Sequence, residues 1–318
     1  MLLDKRIKTG VLLVAGLVLT LLLASALGSE RLSLSGLSEE QRAILFDIRI
    51  PRVLLAAFVG ASLAAAGAGL QSLLRNPLAE PYLLGVSNGA ALGTMLAFAF
   101  FENFEWSRPL LAFVGAGAAT LAVYQIAKSR AGMNVERLVL SGVIVTTFLS
   151  SIIVMLTSVL DAAKLRSFTF WLLGDLSQST VNGVILASAA AVVGTVVLWS
   201  QARALNLLMI GERDALDLGV EVGRVRLIVF VAVSALVGST VAASGSVGYV
   251  GLIVPHLVRL GTGSDNRTVI PFSAAAGAIF VVLADLAART IIAPQELPVG
   301  AVTALIGAPL FIYLLRRS

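Results

Sequence analysis

The chain has 318 residues, of which 58% are hydrophobic and 13% charged, and its formal net charge is +5. A soluble domain carries about 25% charged residues, so this composition indicates a protein surrounded by lipid and excludes a disordered chain, a fibre and an ordinary cytosolic enzyme. The lack of cysteine excludes disulfides, iron–sulfur clusters and thiolate zinc sites. A positive net charge is typical of basic cytoplasmic loops in membrane proteins, so we expect no nucleic-acid partner.

Uncharged runs that approach the roughly 20 residues needed to cross a bilayer recur along the whole chain. There are nine of them: 9–29, 53–74, 81–101, 109–127, 138–160, 176–202, 227–258, 268–284 and 297–315. The seventh run holds 32 residues, with Gly245, Gly248, Gly251 and Pro255 towards its end, and would overshoot a bilayer as one straight helix. We therefore split it near 245–251, which makes ten predicted spans. The second piece, about 251–260, is expected to be a short, broken or partly re-entrant helix.

The first run has two readings. Lys5, Arg6 and Lys8 precede it and Ala24-Ser25-Ala26 ends it, which resembles a cleavable signal peptide. We favour a retained first span. With the N-terminus inside, the cytoplasmic segments hold 15 of the 23 Lys and Arg residues and the outer segments hold 8. Because basic residues accumulate on the cytoplasmic side, both termini are expected there.

Small residues recur at spacings that let helices approach closely. Gly60, Ala64 and Ala68 lie four residues apart on the second span, a pattern typical of tight helix packing in lipid. Residues 59–67 (VGASLAAAG) also resemble residues 237–245 (VGSTVAASG) of the seventh span. Five spans separate the two segments, so they cross in opposite directions. This favours an inverted repeat, although chance similarity between Ala-rich helices is the alternative.

Two cytoplasmic connections carry distinctive patterns. In residues 71–86, Asn76-Pro77 and Pro81 break the helix and predict a rigid corner, which is either a simple tight loop or a constriction. Residues 201–226 mix apolar and acidic residues around glycines, which predicts two short amphipathic helices joined at a glycine. Lipid-surface helices favour Lys and Arg on their polar face, so this acidic stretch indicates docking of a protein partner.

Charged residues near the outer ends of spans suggest a second contact surface. Arg49 and Arg52 flank the start of the second span, and Arg289 lies near the outer end of the ninth. Guanidinium groups bind carboxylates of a partner in a fixed geometry, whereas interfacial snorkelling is the alternative. Asp285 lies four residues before Arg289 and can pair with it on one helix face.

The chain lacks the chemistry of an enzyme or a metal protein. It has no G-x-x-x-x-G-K-[ST] motif to cradle ATP phosphates, and its single histidine, His256, cannot build a metal site or a catalytic triad. We therefore expect no catalytic site, no metal site and no cofactor bound by this chain. The pattern indicates a conduit powered by another subunit.

Three blocks of the sequence, taken together, resemble one family. They are RIPRVLLAAFVGASLAAAGAGLQSLLRNPLAEPYLLGVSNGAALG (49–93), VGYVGLIVPHLVRL (247–260) and ELPVGAVTALIGAPLFIYLL (296–315). They resemble the permease subunits of type II ATP-binding-cassette importers for vitamin B12, haem and ferric siderophores. The resemblance implies an all-α polytopic membrane protein of about ten transmembrane helices, with 1–318 forming a single permease domain. It also implies a homodimer of permeases, two ATPase subunits that carry ATP and Mg, and an extracytoplasmic substrate-binding protein.

The resemblance also assigns roles to particular residues. Within the cytoplasmic coupling helices 203–224, it implies ATPase contacts for Leu205, Leu208, Gly211, Glu212, Arg213, Asp217, Leu218, Gly219 and Arg224. It implies docking of the binding protein at Arg49, Arg52 and Arg289. It implies a cytoplasmic gate formed by Asn76, Pro77, Leu78, Asn134 and Val135.

The function implied is import of a metal chelate by alternating access at the dimer seam, in the cytoplasmic membrane of a bacterium or archaeon. The sequence leaves cobalamin, haem and ferric siderophore open as cargo. One rival function is an ion-coupled secondary transporter that works without an ATPase. A structural or sensory membrane subunit is another.

Overall fold

The computed structural model describes residues 2–28, 38–101, 104, 106–129, 132–133, 135–177 and 179–316, and these are mostly helical. The helices in chain order are α1 (Leu2–Ala26), α2 (Glu39–Ala43), α3 (Ile50–Leu74), α4 (Val86–Phe100), α5 (Ser107–Ala127), α6 (Val135–Thr157), α7 (Ala162–Leu172), α8 (Val181–Ser200), α9 (Ala202–Ile210), α10 (Glu212–Asp217), α11 (Val222–Ser244), α12 (Val250–Thr262), α13 (Asn266–Thr290) and α14 (Val299–Leu315). A π-helical turn, Ile44–Arg49, joins α2 to α3, and a 3-10 turn, Pro81–Leu84, precedes α4. A small antiparallel hairpin, β1 (Lys128–Ser129) and β2 (Gly132–Met133), connects α5 to α6.

The apolar helices correspond one to one with the ten predicted apolar segments. Within the described ranges, seven helices are long and apolar enough to cross a membrane: α1, the continuous helix from α2 through α3, α5, α6, α8, α11 and α13. Three shorter apolar helices, α4, α12 and α14, bring the total to ten. The chain is therefore a multi-pass, helical membrane protein, as the composition predicts.

The long apolar run 227–258 is broken where its glycines predict. Helix α11 ends at Ser244 and α12 begins at Val250. Gly245 has φ +68, and a Cβ atom there would also collide with the carbonyl oxygen of Trp171. Both constraints require glycine at this position, because side chains disfavour positive φ and the space is filled.

Proline inside α12 leaves a backbone carbonyl without its helical donor. Pro255 has no N–H to offer to the carbonyl oxygen of Gly251, four residues earlier. Gln71 of α3 replaces it: its Nε2 donates to the carbonyl oxygens of Gly251 at 3.3 Å and Leu252 at 3.0 Å. A side chain of one helix thus completes the hydrogen bonding of another, as lipid surroundings require.

On α13, too, a side-chain N–H group replaces a backbone N–H that a proline lacks. Pro271 lies inside this helix and cannot donate to the carbonyl oxygen of Arg267. The indole Nε1 of Trp199, at the end of α8, donates to that oxygen at 3.0 Å. The prolines therefore do not end α12 or α13, because neighbouring helices satisfy the released oxygens.

Helix α3 is the centre of the bundle and packs against α8, α11, α12 and α13. A Cβ atom at Gly60 would overlap the backbone of Gly277 on α13, and one at Gly67 would overlap the backbone of Gly251 on α12. Ala64 is fully buried. The small residues predicted for tight packing therefore lie where helix backbones touch.

The packing supports the inverted repeat. In each half a long helix is followed by a short one, α3 by α4 and α11 by α12. Gly60 of α3 contacts α13, whereas its counterpart Gly238 of α11 faces Ala116 of α5. Each echoed position thus contacts a helix of the opposite half: Gly60 contacts α13, the second span after α11, and Gly238 contacts α5, the second span after α3. The halves cross-pack, each long helix against the other half.

Replacing Gly60 tests this packing. We expect Gly60→Ala to lower the free energy of unfolding by about 1–3 kcal/mol, because the methyl group would force α3 away from α13. Gly117→Ala is the matched control, since a Cβ atom at Gly117 meets no atom within 4 Å. Unfolding midpoints in a mild detergent measure both. Equal midpoints for the two variants would contradict the close approach.

Candidate functional site

The bundle has two ends with different chemistry. The Asn206 end comprises α9, α10, the C-terminal end of α3 and the turn between α12 and α13, which are joined by bonds such as Ser72 Oγ to Asn266 Oδ1 at 2.7 Å. The Arg52 end comprises the start of α3, the end of α13 and the segment before α14, joined by Arg52 and Glu296 at 2.7 Å. Each predicted site lies at one of these ends.

Asn206 fastens the predicted coupling segment to the transmembrane bundle. Its Nδ2 donates to Asp265 Oδ1 at 2.8 Å, and its Oδ1 accepts from the backbone N–H of Asn266 at 2.8 Å. The Arg267 guanidinium beside Asp265 holds the pKa of that carboxyl well below its usual range. The sequence prediction missed Asn206, for which the only signal is an amide within the apolar stretch ALNLLMI.

The coupling segment forms two short helices joined at Gly211, as predicted. Leu205 and Leu208 of α9 are buried and hold that helix against the bundle. Glu212 Oε2 accepts from Arg226 Nη2 at 2.7 Å and so ties α10 to α11. The other predicted coupling residues are exposed: Arg213, Asp217, Leu218, Gly219 and Arg224.

The exposed side of this pair is apolar as well as charged. Leu218 is 66% exposed, and Ile210 and Leu216, which the prediction did not include, are 72% and 53% exposed. Exposed apolar side chains next to charges are typical of a protein contact surface. We call Ile210, Leu216 and Leu218 the coupling patch.

The predicted gate residues lie in an exposed corner at the Asn206 end. Arg75, whose φ is +50, caps the end of α3, and the side chain of Asn76 then accepts a hydrogen bond from the backbone N–H of Leu78 at 2.9 Å. Asn76, Pro77 and Leu78 are exposed. Asn134 lies outside the described residues and Val135 begins α6, so a gate contact between the two segments stays a prediction.

The segment after this corner is bound to the break between α11 and α12. The Tyr82 hydroxyl donates to the carbonyl oxygen of Val247 at 3.1 Å and accepts from its N–H at 3.0 Å. Glu80 Oε1 accepts from the backbone N–H of Tyr249, at the start of α12, at 3.0 Å. Burial raises the pKa of the Glu80 carboxyl. The gate corner and the broken helix are therefore held together, a link that the sequence prediction missed.

Buried charges meet at the Arg52 end. Arg52 Nε donates to Asp285 Oδ1 at 2.9 Å, and Arg52 Nη1 donates to Glu296 Oε2 at 2.7 Å. Arg289 Nε lies 3.5 Å from Asp285 Oδ2, which confirms the predicted pair on α13. Two arginines therefore share one buried aspartate, and Glu296 adds the second negative charge that balances them.

The arginines predicted to dock a binding protein are buried in this conformation. Arg49, Arg52 and Arg289 are 4%, 6% and 4% exposed. Arg49 donates to the carbonyl oxygen of Ala26 at 3.1 Å and Arg289 to that of Ala24, so both hold the end of α1. A docking role would require these groups to become accessible, and it stays a prediction.

A cavity of about 210 Å³ lies beside Arg52, lined also by Asp175, Ser177 and Glu296. The Glu296 side chain, 38% exposed, is the accessible member of the charge cluster. Within the described ranges, no group of three or more His, Asp and Glu side chains is placed to hold a metal ion.

Comparison with known proteins identifies relatives over nearly the whole chain. The model of the FecCD transport family matches residues 11–317. The cobalamin import permease BtuC of Halobacterium salinarum is 43% identical over 281 residues, which cover 88% of this chain and 75% of that protein. The hemin transport permease HmuU of Yersinia pestis is 37% identical over 321 residues, covering 96% of each.

A solved structure shares the fold. An inward-facing metal-chelate type ABC transporter superposes with a TM-score of 0.88 at 33% identity, covering 96% of this chain and 98% of that one. The fold class expected from the resemblance is therefore confirmed.

Removing the shared carboxylate tests the buried charge cluster. We expect Asp285→Asn to cost about 3–5 kcal/mol of unfolding free energy, because two buried guanidinium groups lose their common partner. Glu221→Gln is the control, since Glu221 and Arg224 form an ion pair that is 73% exposed on both sides and contributes about 0–1 kcal/mol. Unfolding midpoints of both variants, measured in one detergent, decide; a shift for Asp285→Asn no larger than the control's would contradict the assignment.

The raised pKa of Glu80 predicts a pH dependence of stability. In the folded protein the Glu80 carboxyl keeps its proton at pH values above its ordinary pKa of 4.5. The folding stability should therefore rise as the pH falls from the folded-state pKa towards 4.5. Glu80→Gln keeps an acceptor for Tyr249 and removes the buried charge. We expect a higher melting midpoint at about pH 8 and a gap to the native protein that narrows towards about pH 5.

The control for this pH series is Glu40→Gln, which changes an exposed carboxylate and should leave the curve unchanged. A lower midpoint for Glu80→Gln throughout the series would mean that the charged carboxylate stabilises the start of α12 more than its burial costs.

Proposed function

Because the chain belongs to the FecCD transport family, we propose that this ABC importer permease carries a metal chelate into the cytoplasm by alternating access at the seam between two copies. Cobalamin, haem and ferric siderophores, the cargo class of the family, are the candidate cargoes. The relatives named above are a cobalamin and a hemin permease.

The observation that carries the proposal is the arrangement of α9 and α10. The pair presents the exposed coupling patch to a partner and is bonded on its other side to α11 through Glu212 and to the α12–α13 turn through Asn206. A force applied to the patch would therefore reach the transmembrane helices directly. A permease that is driven by a separate subunit needs this arrangement.

The power source is an ATPase on a separate subunit, since the sequence has no phosphate-binding loop of its own. Two ATPase subunits, with ATP and Mg, would dock at the Asn206 end. That end is then cytoplasmic, which agrees with the excess of basic residues predicted there. The cytoplasmic membrane of a bacterium or archaeon is the corresponding location.

The extracytoplasmic binding protein would dock at the Arg52 end. Carboxylates of that protein could replace Glu296 on Arg52 and draw Arg49 and Arg289 towards the surface. Asn76, Pro77 and Leu78, together with Asn134 and Val135, would close the cytoplasmic side of the seam. Cargo selection would lie in the binding protein, because an apolar wall rich in Ala and Gly lets a large rigid chelate pass without binding it tightly.

An ATPase-dependent uptake assay tests the proposal. In vesicles that contain the permease, its ATPase and its binding protein, we expect ATP-dependent uptake of at least one of labelled cobalamin, haem and a ferric siderophore. Leu218→Glu should reduce uptake and ATPase co-purification by about tenfold or more, because a charge in the centre of an apolar contact costs over 1.4 kcal/mol.

The control is Val159→Glu, which changes another exposed apolar side chain, 82% exposed, in the connection between α6 and α7. It should retain both activities. Uptake that proceeds without ATPase and follows an ion gradient would support the secondary-transporter alternative and overturn the proposal. So would full activity of the Leu218→Glu variant after correct insertion.

A further inference from the structure

A second cavity, of about 240 Å³, lies at the Asn206 end on the side of α1. It is lined by Arg6 and Thr9 of α1 and by Arg259, Leu260 and residues 261–263 at the end of α12. None of these residues belongs to the coupling, docking or gate sets, so the cavity has no role in the transport scheme above.

Among the described residues, no acid balances the charge of Arg259. Its guanidinium donates only to neutral oxygens: Ala68 O at 3.1 Å, Ser72 Oγ at 2.8 Å, Asn266 Oδ1 at 3.3 Å and Ser264 O at 3.4 Å. In the part of the chain that the structure describes, it forms no ion pair. The C-terminal dipole of α12 offsets this charge only in part, and a half-buried cation favours an anion beside it.

The nearby acid is already shared. Asp265 accepts Arg6 at 3.4 Å and Arg267 at 2.9 Å, and Asn206 also donates to it. Two guanidinium groups therefore share this carboxylate, whereas Arg259 bonds to its neighbours Ser264 and Asn266. Arg6 and Arg259 both line the cavity, so its wall carries an excess of positive charge.

The surroundings of the cavity suit an amphipathic anion. Leu260 lines the cavity and is 66% exposed, and Leu257, on the same face three residues earlier, is 40% exposed. Because α12 runs from inside the bilayer to the Asn206 end, these leucines form an apolar stripe leading from the cavity towards the membrane centre. A soluble anion would not use this stripe, whereas an acyl chain would cover it.

We propose that this cavity binds the phosphate of an anionic phospholipid. Arg6 and Arg259 hold the phosphate oxygens, and an acyl chain lies along Leu257 and Leu260. Helix α1 packs chiefly against α13, so a lipid bound in this way joins α1 to the α12–α13 turn. The proposal is independent of the cargo and of the ATPase.

Lipid-dependent thermal stability of the full-length chain, purified in a non-ionic detergent, tests the site. We expect phosphatidylglycerol to raise the unfolding midpoint at about tenfold lower concentration than phosphatidylcholine. Inorganic phosphate at the same concentration should leave the midpoint unchanged. Native mass spectrometry should detect one retained phosphatidylglycerol.

Three variants test whether the lipid binds at this cavity. Arg259→Gln and Arg6→Gln should each abolish the preference for phosphatidylglycerol. Arg166→Gln removes an exposed arginine of α7 at the Arg52 end and should keep it. If Arg259→Gln fails to fold, because it also loses bonds to Ser72 and Asn266, Arg6→Gln alone decides.

Three results would overturn the proposal. Equal stabilisation by the two lipids would remove the need for an anion, and an equal shift with inorganic phosphate would make the cavity a soluble-anion site. Retention of the lipid preference in Arg6→Gln would place the lipid elsewhere.

Discussion

A backbone carbonyl inside a bilayer has no water to bind, so another part of the chain must supply its donor. This constraint explains why Gln71 is buried against the α12 carbonyl oxygen that Pro255 leaves without a donor. Helix α12 continues through Pro255 because Gln71 of α3 completes its hydrogen bonding. Charges obey the same constraint, since Arg52, Asp285 and Arg289 are buried only as a group.

Helix α3 consequently connects the two ends of the molecule. At its start Arg52 bonds to Asp285 of α13, and near its end Gln71 bonds to α12. The gate corner follows directly, and Glu80 and Tyr82 return to the break before α12. The coupling helices join the same framework through Asn206. Movement of α9 would therefore act on the α12–α13 turn and, through the bond between Asn266 and Ser72, on the end of α3.

The sequence predictions were correct where the interacting residues are close in sequence, and they missed interactions between residues that are far apart in sequence. The break in the run 227–258 and the helix pair joined at Gly211 depend on local chain properties, and both were predictable. The burial of Arg52 was not, because its partners lie 233 and 244 residues away in sequence. Its position at a helix end is equally typical of an arginine that faces solvent. Asn206, Glu80 and Tyr82 were missed for the same reason.

Composition and local pattern alone determined that this protein is a helical bundle in lipid, with ten apolar segments, a short eighth span and a short amphipathic pair outside the membrane. These properties depend on hydrophobic run length, glycine and proline, which act within a few residues. Only the tertiary structure decided which polar groups satisfy one another, which arginines are buried, and where unbalanced charge remains. Those outcomes depend on contacts between helices that are distant in sequence, and the energies of buried polar groups are set by such contacts.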